Sequence, residues 1–170
     1  MQPPYVFESA RLRYRPFHVD DAAGFFELNS DPEVIRDTGD PPFETVEAAR
    51  DFLQAYNHYD EVGYGRWSVD LKLTGEFIGW AGLKYTPALD EVDAGCRFFQ
   101  RCWGKGFGTE ATLACLQFGF DQLGIERIVG RAMAGNAGSV RMMEKAGMQL
   151  VGPRDFDGHP GVIYAIAASK

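Results

Sequence analysis

Residues 10–17, Ala-Arg-Leu-Arg-Tyr-Arg-Pro-Phe, alternate apolar and cationic positions. A period of two predicts a half-buried strand, with Leu12 and Tyr14 on one face and Arg11, Arg13 and Arg15 on a solvated one. Pro16 ends it. Asp20 or Asp21 can cap a helix whose short apolar face is Phe25, Phe26 and Leu28, and Asp31-Pro32 breaks it. After the loop Gly39-Asp40-Pro41-Pro42, Thr45 starts a second helix. Val46, Ala49, Phe52, Leu53 and Tyr56 follow the helical period, and Gly63 and Gly65 close it.

Strands follow. Residues 66–71 and 77–84 flank the turn Lys72-Leu73-Thr74-Gly75-Glu76 and read as a hairpin. A turn over 87–90 leads to a third strand over 92–99. From Gly108 to about Leu123 the pattern is helical. Phe107, Ala111, Ala114, Cys115 and Phe118 line one face, and Leu113, Leu116 and Phe120 widen it, so the helix is expected to be largely buried, with Gly124 as its C-cap. Residues 127–133 read as a strand. Asn136 caps a helix over 138–145 that ends at Gly147, and residues 148–151 and 162–166 read as two last strands around a polar loop. The order β-α-α-β-β-β-α-β-α-β-β predicts one mixed α/β domain over residues 1–170. The strand-helix-strand unit at 92–133 predicts at least one parallel pair.

Composition narrows the function. The chain has 170 residues, 45% of them hydrophobic and 14% aromatic, which suits one globular domain. A net charge of −7 argues against a nucleic-acid binder held by phosphate contacts and mildly favours cationic partners such as amines. The three cysteines, Cys96, Cys102 and Cys115, do not form a disulfide framework. The start Met1-Gln2-Pro3-Pro4-Tyr5 shows no charged segment followed by an apolar run, and no stretch approaches the about 18 apolar residues of a membrane span. A cytoplasmic protein without membrane attachment is expected.

The chemistry concentrates in Trp103-Gly104-Lys105-Gly106-Phe107-Gly108-Thr109, where a strand meets a helix. Glycines permit positive φ and close approach to the main chain. A helix start offers free N–H groups and a partly positive dipole, so the stretch is either an anion site or a plain tight turn. It is not a Walker loop, and Gly106, Gly108 and Ala111 match only the alanine-tolerant dinucleotide fingerprint, without the repeated β-α-β halves that such a fold needs.

Two separated signatures carry a family resemblance. Residues 103–111, Trp-Gly-Lys-Gly-Phe-Gly-Thr-Glu-Ala, resemble the acetyl-CoA pyrophosphate loop of the GNAT superfamily of N-acetyltransferases. Asn136-Ala137-Gly138-Ser139 with Glu144-Lys145-Ala146-Gly147-Met148 resembles the second signature. The start at residues 8–17 and the hairpin with Ile78-Gly79 also fit, and together they resemble the branch that includes ribosomal-protein alanine N-acetyltransferases. Trp103 stands where Gln or Arg is common, and Met148 where Phe is usual.

The resemblance implies a GNAT fold, a largely antiparallel mixed sheet flanked by helices with one splayed parallel pair that takes acetyl-CoA. It implies that the backbone of Gly104, Lys105, Gly106, Phe107, Gly108 and Thr109 holds the pyrophosphate, with Lys105 adding charge. The strand edge Cys96-Arg97-Phe98 would pair with the pantetheine arm and offer an oxyanion donor, and Asn136 would bond the same arm. Ser139 would hydrogen-bond the departing sulfur, and Asp93 matches an acidic position common in the family. His159, Asp157, Glu33 and Asp37 are further acceptor-side candidates, each otherwise a surface or structural charge. Met143 stands where many members carry a general-acid tyrosine. The three cysteines read as packing residues, because the family transfers acetyl directly and no histidine lies near them. The expected activity is acetyl transfer from acetyl-CoA to a primary amine, a protein N-terminus or a small molecule, by a monomer or homodimer with no metal. The alternative is a non-catalytic acyl-CoA-binding module.

Overall fold

The computed structural model describes residues 3–170. In chain order the elements are β1 (Phe7–Glu8), β2 (Leu12–Arg15), a 3-10 turn (Val19–Asp21), α1 (Ala22–Ser30), α2 (Pro32–Ile35), α3 (Val46–Ala55), α4 (His58–Val62), β3 (Arg66–Leu71), β4 (Phe77–Thr86) and β5 (Glu91–Phe98). Then come a 3-10 turn (Gln100–Cys102), α5 (Phe107–Asp121), β6 (Arg127–Met133), α6 (Ala137–Lys145), β7 (Gln149–Phe156) and β8 (His159–Ala167). The eight strands form one sheet in the order β1-β2-β3-β4-β5-β6-β8-β7. Every neighbouring pair is antiparallel except β5 with β6, which share a single parallel pair, Asp93 opposite Val129. The mixed, mostly antiparallel sheet with one parallel pair agrees with the expectation from sequence.

The strand alternation divides the sheet into two faces. Leu12, Tyr14, Trp67, Val69, Ala81 and Leu83 join α5 residues Ala111, Cys115 and Leu116 in the main core. On the other face Ala22 and Phe25 of α1 meet Ala49 and Leu53 of α3, packed against Phe77 and Trp80. Thr45 starts α3 as expected, its side chain accepting from the Ala48 N–H at 3.0 Å.

Several local readings change. Arg15 is not on a solvated face: its side chain is 1% exposed between Asp21 and Asp70. Asp21 of the 3-10 turn and Asp70 of β3 enclose the guanidinium, and a cation buried there needs both carboxylates. Asp31-Pro32 is a restart as well as a break, because the Asp31 side chain accepts from the Glu33 N–H at 3.0 Å and Pro32 opens α2. The helix from Thr45 stops at Ala55, where Tyr56 turns extended and its hydroxyl accepts from the Arg66 N–H at 2.9 Å. A separate α4 then runs to the left-handed Gly63. Leu113 is exposed on α5, whose buried face is Phe107, Ala111, Thr112, Cys115, Leu116 and Gly119.

The polar loop expected after residue 151 is a hairpin. β7 continues through Gly152-Pro153 as the outer strand, where proline has no ladder bond to lose, and a bulge between Leu150 and Gly152 absorbs the misfit. Asp157 and Gly158 have φ of 51° and 88°, the two-residue turn that matches strand twist.

Candidate active site

β5 and α5 bring the glycine stretch to the middle of the sheet. β5 ends at Phe98, and the Trp103 indole N–H donates to the Phe98 carbonyl at 3.0 Å, fixing where the loop starts. Gly104 and Gly106 take φ of 74° and 81°, values that a residue with a Cβ adopts only at a cost. Gly106 is the α5 N-cap, and no side chain closes that end of the helix. The first-turn N–H groups of residues 107–109 therefore lack helical partners and sit at the positive end of a 15-residue helix.

A strut from the turn between β1 and β2 holds this loop. Arg11 donates from Nε to Glu110 Oε2 at 2.7 Å, its backbone N–H donates to Glu110 Oε1 at 2.7 Å, and Ser9 donates to the same oxygen at 2.8 Å. Arg11 also donates from Nη1 to the Lys105 carbonyl at 2.9 Å and lies 4.3 Å above the Phe107 ring. The hydrogen bonds from Arg11 and Ser9 outweigh burial and keep the Glu110 carboxyl below the usual range. Lys105 itself is exposed. Arg11 lies on the outer face that the alternation predicts, while its partner lies 99 residues away, where local sequence carries no signal.

The second signature lands beside the first. Gly108 faces Met142 of α6 so closely that a Cβ there would stand 2.9 Å from the Met142 sulfur. Asn136 caps α6 by accepting from the Ser139 N–H at 3.2 Å, which puts Ser139 on its first turn. Both residues are half-buried. Met143 is buried in the core and faces Gly130 of β6.

Between the signatures lies a gap in the sheet. β5 pairs with β4 along its whole length but meets β6 only at Asp93, so the edge of Cys96-Arg97-Phe98 toward β6 has no strand partner. The three side chains point away from that edge. The Cys96 sulfur packs 3.5 Å from the Met142 sulfur, Phe98 is in the core, and Arg97 crosses to the other face. There it donates to Asn29 Oδ1 and Asp40 Oδ2, each at 2.8 Å, and lies 5.3 Å from the Trp80 ring centroid. What β5 presents to the gap is its main chain. Burial pushes the Cys96 thiol up to about 11 and raises those of Cys102 and Cys115, as befits packing residues rather than nucleophiles.

Of the acidic candidates, only Asp93 is at the gap. Both its oxygens accept from guanidinium groups, Oδ1 from Arg66 at 2.6 Å and Oδ2 from Arg131 at 2.9 Å. Glu91, on the same face of β5, accepts from Arg131 at 3.0 Å and from both terminal nitrogens of Arg154 at 2.8 and 3.1 Å. Hydrogen bonds from Arg154 lead in holding the Glu91 carboxyl down to about 2. Glu33 and Asp37 pair with Arg36, Asp157 is in the β7–β8 turn, and His159 opens β8. The arginines of this network were not singled out by sequence, although the alternation of β5 places Glu91, Asp93 and Arg97 on one face.

Among the described residues no group of three His, Cys, Asp or Glu side chains could hold a metal, and no helix is long and apolar enough to cross a membrane. The residues present do fit a CoA thioester: glycines with positive φ, an open helix N-terminus and an unpaired strand edge lie together.

Comparison with known proteins bears on the same geometry. The profile of the Acetyltransferase (GNAT) domain matches residues 11–149. The p20 protein of Bacillus licheniformis, described as an uncharacterized N-acetyltransferase, is 31% identical over 150 residues, covering 86% of this chain and 84% of its own. The crystal structure of a GNAT-family acetyltransferase from Bacillus anthracis superposes with a TM-score of 0.82 at 25% identity, over 94% of this chain and 96% of that one. RimL, a ribosomal alpha-N-protein acetyltransferase solved in complex with coenzyme A, shares the fold with a TM-score of 0.81 at 16% identity, over 97% and 98% of the two chains. With the profile spanning both signatures and the cleft between them, the chain belongs to the GNAT family and is an acetyl-CoA-dependent acetyltransferase.

Proposed function

We propose that this protein moves acetyl from acetyl-CoA to a primary amine, a protein N-terminus or a small-molecule amine, by direct attack in a ternary complex. The observation that carries the reading is the meeting of the unpaired β5 edge with the open N-terminus of α5. The N–H groups at residues 104–109 hold the pyrophosphate, and Lys105 adds charge from the exposed side. The edge of Cys96, Arg97 and Phe98 takes the pantetheine amides, and a β5 N–H supports the carbonyl oxygen as charge develops there. Asn136 holds the arm from the α6 side. Ser139 donates its hydroxyl to the departing sulfur, whose basicity resembles that of a cysteine thiolate.

Asp93 serves in this reading through the arginines that it holds. A carboxylate whose two oxygens already accept from Arg66 and Arg131 is poorly placed to take a proton, and Glu91 is in the same position. A lysine-like acceptor is mostly protonated at neutral pH, so the rate should rise with pH as its neutral fraction grows. The test is thiol release from acetyl-CoA with a panel of amines and peptides. Release with an acetylated product supports the proposal. CoA binding without release from any acceptor favours a binding module instead.

A further inference from the structure

The two parts of the sheet on either side of the gap have almost no main-chain connection. Five strands, β1 to β5, lie on one side and β6, β8 and β7 on the other, joined by the one pair of Asp93 with Val129. Side chains bridge what the ladder leaves open. Arg131 of β6 reaches to Glu91 and Asp93 of β5, and Arg154 of β7 reaches to Glu91. Arg66 of β3 completes the row on Asp93 and also donates to the Gly82 carbonyl at 2.8 Å. Glu91 and Asp93 are 13% and 8% exposed, so solvent screens these pairs less than ordinary surface ones. Each acid is shared by two arginines, and Arg131 is shared by both acids.

We propose that Glu91 and Arg131 are positioning residues that hold the cofactor slot at its working width. Glu91 and Asp93 lie on the strand whose edge at residues 96–98 is read above as the pantetheine site, so the inference rests on that reading. A single bridge pair is a hinge: the β6-β8-β7 unit can rock about it, widening or narrowing the slot. Arg131 bonds Asp93 at the hinge and Glu91 two residues before it, and Arg154 adds a second arm from β7 to Glu91, so rocking has to break ion pairs that are mostly out of water. The brace keeps the slot open and aligned before acetyl-CoA arrives, which lowers the ordering cost of binding.

The experiment uses the full chain carrying Glu91→Gln, with Arg131→Lys as the conservative variant and Asp70→Asn as a control for loss of a buried charge away from the gap. The first readout needs no ligand. Amide hydrogen exchange at residues 95–98 and 130–133 should speed up about tenfold in Glu91→Gln, while α1 and α3 keep their wild-type rates. The second is the affinity for CoA, with KM for acetyl-CoA set against kcat. Glu91→Gln should weaken CoA about tenfold and raise KM, and Arg131→Lys should retain an intermediate affinity. Glu91→Gln with Arg154→Gln should be no worse than Glu91→Gln alone, because the two remove the same pair. Asp70→Asn should lower the melting temperature and leave CoA affinity unchanged. Unchanged exchange at both strands in Glu91→Gln overturns the brace whatever CoA does. Faster exchange with wild-type CoA affinity and KM overturns its positioning role. Faster exchange in a protein whose wild type fails to bind CoA retains the brace and refutes the reading of the slot.

Discussion

Gly106→Val tests the anion site most directly. Gly106 has φ of 81° at the α5 N-cap, and a Cβ there would meet only Arg11 Nη2 at 3.4 Å, an ordinary contact. The perturbation is therefore conformational and not steric. A side chain in the left-handed region costs about 1–2 kcal/mol, and a β-branched one belongs at the upper end. Against a domain stability of about 5–15 kcal/mol the fold survives, with Tm lowered by roughly 2–8 °C. If the backbone relaxes toward negative φ instead, the N–H groups that follow turn away from the phosphate. Each hydrogen bond to a charged group is worth about 1.5–3 kcal/mol, so losing one raises Kd about 10- to 150-fold. Gly75→Val supplies the control. Its φ is 73° in the β3–β4 turn, with nothing within 4 Å of a Cβ, so it carries the same strain far from the loop. Titration calorimetry with CoA and thermal melts on the three proteins separate the effects. A folded Gly106→Val protein that binds CoA like wild type would refute the pyrophosphate assignment, as would an equal loss of affinity in Gly75→Val.

Other outcomes follow from the same geometry. Ser139→Ala should lower turnover far more than acetyl-CoA affinity, and wild-type kcat removes Ser139 from the chemistry. Arg15→Ala leaves the carboxylates of Asp21 and Asp70 buried without their cation, at a cost of about 3–5 kcal/mol in urea unfolding; a loss under about 1 kcal/mol, typical of surface pairs, would show that water reaches the network. His58 accepts from the Tyr85 N–H at 3.1 Å through Nε2, and burial lowers its pKa. The unfolded chain then binds the proton more readily, so this contribution to stability is complete above the ordinary histidine pKa and is lost as pH falls through the folded one. Melts from pH 8 to 5 should show a smaller acid loss in His58→Gln than in wild type; parallel curves would contradict that.

Much of the fold was legible because local chemistry agrees with the global pattern. The alternation of residues 10–17, the Thr45 and Asn136 caps and the turn after Leu71 each name their element without help from distant residues. Misses came where tertiary contacts overrode local pattern. Tyr56 ended α3 early by bonding the Arg66 backbone, and β7 kept pairing through Gly152-Pro153 because β8 lay alongside it. Asp157-Gly158 is a two-residue hairpin signal inside the stretch expected as a polar loop, and β7 and β8 pair up to it. The glycine loop was legible for a physical reason: a main chain that takes positive φ at a helix start needs glycine, and glycines are visible letters.

The sequence by itself determined the alternation and caps of the elements, the positive-φ glycines of residues 104–106, and the two signatures that place the chain in its family. Only the tertiary structure decided that Arg15 is buried, that Arg11, just ahead of β2, ties to the loop through Glu110, that Arg66 meets Asp93 on its own side of the gap, and that Arg131 and Arg154 meet Glu91 and Asp93 across a gap with one strand pair. Those partners are far apart in the chain. A charged letter does not say which opposite charge it will meet, because strand order and register choose the partner, and burial sets how strongly the pair holds.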